Sequence, residues 1–154
     1  MSEINRDERA TPTLMRAARG VYAQAIRVQL QAIGIDDMPR NGAFVVTRLH
    51  FDGPTQEMFA ELGVSKQAFS QLIDTLVLRG HIERSPDPED RRRVVLTLTA
   101  RGKEAAEAVM RAVDAVDEQL GERISPEQIE TMREGLIALA EIKLPGSHMD
   151  PDGM

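Results

Sequence analysis

Cysteine is missing from all 154 residues, which excludes disulfides, thiolate metal sites and thiol-based redox switching. No window approaches eighteen consecutive apolar residues, and "MSEINRDERATPTL" carries charges where a signal peptide needs an apolar stretch, so a cytoplasmic chain with no membrane contact is expected. No glycine-rich phosphate loop follows a strand, because "RNGAF" and "DGPTQ" hold single glycines. The histidines His50, His81 and His148 lie 31 and 67 positions apart, without the short spacings of metal ligands on one helix. Asp87, Glu89 and Asp90 sit among Pro86 and Pro88 and lack the glycine and the later glutamate of a calcium loop. No catalytic residue, metal or cofactor is therefore expected, and the chain does not read as an enzyme.

What is present is a globular composition, 42% hydrophobic, and an uneven charge. The net charge of −6 argues against nucleic acid only when taken as a sum. Between Val64 and Lys103 eight Lys and Arg face five acids, a net +3 that leaves −9 for the rest. A basic middle between acidic ends suits a nucleic-acid reader carried on an acidic scaffold.

The chain divides by its turns. Leu14, Ala18, Val21, Ala25 and Val28 recur at helical steps within 12–33, and "GIDDMPRNG" ends that helix. "AFVVTRLHF" reads equally as a strand or a buried helix. "TQEMFAEL" is helix-like, "GVS" is a turn closed by an N-cap serine, and "KQAFSQLIDTLVLRG" is a second helix that stops at Gly80. Two helices joined by three residues suggest a helix-turn-helix. "HIERS" and "RVVLTLT" are then two strands around the turn cluster "PDPED", a β-hairpin. A long helix from Ala100 carries Val109, Val113, Val116 and Leu120. The last helix opens at "SPEQ", with Ser125 as N-cap, Pro126 in the first turn and Gln128 completing a capping box, and it carries Ile129, Met132, Leu136 and Leu139.

These features predict a mainly α fold with a small β-hairpin wing, a winged helix-turn-helix flanked by helical dimerisation segments. The expected division is an N-terminal dimerisation helix in 1–36, the winged unit in 37–99, dimerisation helices in 100–143 and a flexible tail in 144–154. With 3% aromatics, the striped helices leave narrow apolar seams for a second chain, so a homodimer is expected.

The first turns of the second helix present Ser65, Lys66, Gln67, Ser70 and Gln71, with no acid before Asp74. Gln can bond both edges of an adenine, Ser a base edge or phosphate, and Lys guanine or phosphate. A solvated helix face would use the same residues, but in so acidic a protein it would usually include Asp or Glu. Arg91, Arg92 and Arg93 follow at the hairpin tip.

The stretch from Glu57 to Lys103, with "GVS", "RGHIER", "DPEDRR" and "LTARG" in that order, resembles the winged helix-turn-helix of the MarR family of bacterial transcriptional regulators. The resemblance implies a homodimeric repressor that binds double-stranded DNA at a palindromic operator, with the second helix in the major groove and a wing arginine in the minor groove. Carried over by position, that arginine is Arg92, Asp90 is the carboxylate that orients it, and Arg91 and Arg93 are phosphate contacts. It also implies release by a small aromatic or anionic effector, for which Arg16, Arg19, Tyr22 and His50 are the candidates. One departure is Phe59, four residues before the turn glycine, where the family has a small residue; an aromatic pair with Phe69 is expected there. The competing reading keeps the fold but makes the dimer a protein-interaction module whose wing binds an acidic protein surface without specific DNA binding.

Overall fold

The computed structural model describes residues 10–53 and 58–143, with the side chain of Phe59 left out. Expectations that fall on the tail beyond 143 lie outside the described residues. The elements run α1 (Thr11–Ala32), α2 (Gly42–Phe51), α3 (Met58–Leu62), α4 (Lys66–Leu78), β1 (Ile82–Pro86), β2 (Val94–Leu98), α5 (Ala100–Gly121) and α6 (Pro126–Ala140). The chain divides into two compact units between Val116 and Asp117, inside α5.

In the first unit, α1 starts with Pro12 in its opening turn, where the missing N–H costs nothing. It stops at Gly34, whose φ of +78° suits glycine, while the Ile35 N–H donates to the Leu30 carbonyl at 2.9 Å. The ambiguous run "AFVVTRLHF" is helical. Val45, Val46 and Leu49 are buried together, a set that helical spacing places on one face and a strand would split between two. Ser65 caps α4 by accepting from the Ala68 N–H at 3.1 Å, and Gly80 (φ +77°) ends that segment as the chain turns into the wing.

The core gathers Val45, Val46 and Leu49 of α2, Met58 of α3, Ile73 and Leu76 of α4, Ile82 of β1 and the alanine face of α5. Each large apolar side chain removed from water here contributes about 1.5–3 kcal/mol. β1 and β2 pair antiparallel with Ile82 opposite Leu98 and Pro86 opposite Val94, so the hairpin is anchored at its base and leads outward to the tip. Leu96 and Leu98 lean on the core, whereas Val94 at the far end is 65% exposed. Gly102 has a positional reason: a Cβ there would lie 2.0 Å from the His81 carbonyl oxygen, so α5 can begin against the wing base only with glycine at that place.

In the second unit, the end of α5 turns into α6 through the capping box foreseen from the sequence. The Gln128 N–H donates to Ser125 Oγ at 3.2 Å, and the Ser125 N–H donates to Gln128 Oε1 at 2.9 Å. Arg133 pairs with Asp117 at 3.2 Å. No residue of α6 is buried.

Candidate nucleic-acid interface and ligand cavity

Ser65, Lys66, Gln67, Ser70 and Gln71 are all exposed along the first two turns of α4. The opposite side carries Ile73 and Leu76 into the core, with Phe69 and Leu72 packed against it, so the helix is fixed by its apolar face while its polar face stays open. Ala68 is exposed beside them. The Phe59 half of the expected aromatic pair lies outside the described side chains.

The wing tip is built by short-range bonds. The Asp87 N–H donates to the Arg93 carbonyl and the Arg93 N–H to the Asp90 carbonyl, both at 2.9 Å, while the Asp87 carboxylate accepts the Glu89 N–H. The Asp90 carboxylate accepts the backbone N–H of Arg92 at 3.1 Å. This differs from the expected contact with the guanidinium: Asp90 shapes the turn that carries Arg92, in the manner of an Asx turn. Among the described residues Arg91, Arg92 and Arg93 form no ion pair, and all three are exposed. Three unneutralised cations at one tip make a strong anion-seeking feature.

Three contacts that sequence spacing does not reveal tie these parts together. Asp74, the first acid of α4, pairs with Arg84 of β1 and so links the polar helix to the wing. Asp37, between α1 and α2, accepts from Arg101 at 3.0 Å, and its carbonyl accepts from Arg79, the C-cap of α4. His81 is fully buried, and its Nε2 stands 3.7 Å from Asp37 Oδ1, beyond hydrogen-bond reach. Burial, followed by the charge of Arg101, pushes the His81 imidazole below its ordinary value, with Asp37 opposing. For Asp37 desolvation pushes upward, but the hydrogen bond and charge of Arg101 win and hold the carboxyl below its usual range.

A cavity of about 470 Å³ lies between α1, the α1–α2 loop and the start of α2. Arg19 and Tyr22 line it, as do Arg27 and Arg40, with Ile26, Leu30 and Phe44 as its apolar wall. Arg16 and His50 do not line it. Arg16 lies one turn too far toward the start of α1, and His50 sits near the end of α2 beside Phe51, with ring centroids 5.5 Å apart, whereas the cavity meets α2 at its first turn. Arg27 was discoverable: Arg19, Tyr22, Ala23, Ile26 and Arg27 follow the three-and-four spacing of one helix face. Three arginines against one acid, Asp36, leave the cavity cationic over an apolar wall. Among the described residues no group of carboxylates or histidines is arranged to hold a metal ion, and no helix is long and apolar enough to cross a membrane.

Residues 55–93 match the model of the MarR family. That stretch takes in α3, α4, β1 and the wing tip. An uncharacterised HTH-type transcriptional regulator of Bacillus subtilis, YdcH, is 34% identical over 70 residues, 45% of this chain and 48% of that protein. The chain thus spans about half the length of this relative. The fold matches that of Streptococcus pneumoniae FabT, solved in complex with DNA (TM-score 0.70, 23% identity, 86% of this chain and 94% of that one). It also matches CouR of Rhodococcus jostii RHA1, solved with p-coumaroyl-CoA (TM-score 0.67, 22% identity, 90% and 96%).

Proposed function

We propose that this MarR-type chain is a sequence-specific double-stranded-DNA-binding transcriptional regulator, a homodimeric repressor of a palindromic operator. The observation that carries the reading is the pairing of two exposed surfaces. An acid-free polar face opens α4, and three arginines that form no ion pair among the described residues stand at the tip of a wing tied to that helix through Arg84 and Asp74. A helix of that face suits the major groove, where Gln67 and Gln71 have bidentate chemistry for adenine. A guanidinium at the wing tip suits a narrow, A·T-rich minor groove, with Arg92 as the inserted residue and Arg91 and Arg93 on phosphates.

Dimerisation is supported by apolar faces that the single chain leaves open. On α6, Leu136 and Ile137 are 42% and 59% exposed; on α1, Leu14, Val21 and Val28 are each more than half exposed. A two-fold dimer places its two reading helices on half-sites about one helical turn apart. The cationic cavity on α1 suits an amphipathic anion, with its apolar body on Ile26, Leu30 and Phe44 and its charge on the arginines. CouR's thioester ligand is of that class, and such an effector would release the operator here.

Selection of bound duplexes from random DNA tests the reading. The expected outcome is an inverted repeat with half-site centres about 10 base pairs apart. No enrichment, together with indifference to DNA at low salt, would favour a protein-interaction role.

A further inference from the structure

We infer that the α1–α2 loop is the element through which occupancy of the cavity reaches the recognition helix and wing, and that Asp37 is its positioning residue. The inference rests on reading the cavity as a ligand site. Along this short loop, neighbouring residues face opposite tasks. Ile35, Asp36, Met38 and Pro39 line the cavity. Asp37, between them, engages the other side: its carboxylate accepts from Arg101 and stands beside His81, and its carbonyl accepts from Arg79. Those partners are the C-cap of α4, the residue that opens the wing and the first turn of α5.

The joint they form has little give. Thr99 Oγ1 donates to the Gly80 carbonyl at 2.5 Å and accepts the Gly102 N–H at 3.0 Å, while the Thr99 N–H donates to the His81 carbonyl at 3.2 Å. The close approach at Gly102 leaves no room for the wing base to shift alone. A displacement of Asp37 is therefore passed to the end of α4 and the start of the wing together. The connection is also breakable, since Asp37 and Arg101 are 38% and 42% exposed and an ion pair so open to water is weak. A rigid joint held by a weak latch is what a ligand of modest differential affinity can bias.

The test needs no identified ligand. Ala23 is exposed on α1 and lines the cavity, so Ala23→Trp fills it with an indole, and the chain has no other tryptophan to confuse its emission. Amide hydrogen exchange over residues 77–85 and 99–103, and affinity for the selected duplex, are measured for the full chain. The variants are the parent, Ala23→Trp, Asp37→Ala, Asp36→Ala and the Ala23→Trp/Asp37→Ala double variant. Asp37→Ala is expected to speed exchange in both segments while Asp36→Ala does not. Ala23→Trp is expected to lower DNA affinity about ten-fold with Asp37 present and less than about two-fold without it, a coupling in the usual range. Unchanged exchange in Asp37→Ala, or an equal effect of Ala23→Trp in both backgrounds, no effect included, overturns the inference. If the parent binds no DNA, the function reading fails while the exchange comparison still decides the role of Asp37.

Discussion

Helices α5 and α6 both carry apolar stripes in the sequence, yet the first half of α5 and the whole of α6 differ in the structure. Ala105, Ala106, Ala108, Val109 and Ala112 of α5 are at most 5% exposed, whereas α6 buries nothing and Met132, Leu136, Ile137 and Leu139 stand 40–59% open. Both helices show an apolar face at helical period. Periodicity identifies a face, but burial requires something placed against it; the first half of α5 shares a core with residues of α2, α4 and the wing base, while the apolar face of α6 stays open in the single chain. The contrast separates residues that hold the winged unit together from residues that the proposed dimer would use.

The largest expected effect sharpens that division. Leu76→Ala, at a fully buried position, should lower the stability of the winged unit by about 2–5 kcal/mol, whatever the protein concentration. Leu136→Ala should act through assembly: its loss of thermal stability and its dissociation should grow on dilution, with little change in helix content. Denaturation and sedimentation at several concentrations distinguish the two. An α6 variant insensitive to dilution would break the comparison.

A smaller effect comes from His81. Its folded value lies below the ordinary 6.5, so the folded chain binds fewer protons than the unfolded one in the range beneath that value. The stability it permits is fully present above about pH 6.5 and is lost as the pH falls below it. His81→Leu should flatten the decline in melting temperature between pH 7 and 5. A parent melting temperature that does not fall over that range would contradict the buried, neutral imidazole.

Much of the fold was legible because local chemistry dictated it. Ser65, Gly80 and the Ser125–Gln128 box mark boundaries through backbone bonds made within a few residues, and the structure places those caps and stops as the sequence implied. "AFVVTRLHF" was not legible, since only the burial of Val45, Val46 and Leu49 in the common core distinguishes a buried helix from a strand. The exposed face of α4 and the arginine tip followed from spacing and turn chemistry. Asp37 did not, because its partners Arg79, His81 and Arg101 lie 42 to 64 positions away and no local pattern announces them. Arg16 and His50 have the residue types an effector site calls for, but the helix geometry leaves them off the cavity. Asp90 lies in the turn that the sequence marks, but its carboxylate holds the backbone of Arg92.

The central claim is that α4 and the wing read DNA together, and the salt dependence of operator binding by the parent and by Arg92→Ala tests it most directly. The account predicts weaker binding by the variant at every salt concentration, with the log–log salt slope reduced by about one unit for the lost cationic contact. Equal affinity and equal slope for the two proteins would contradict it.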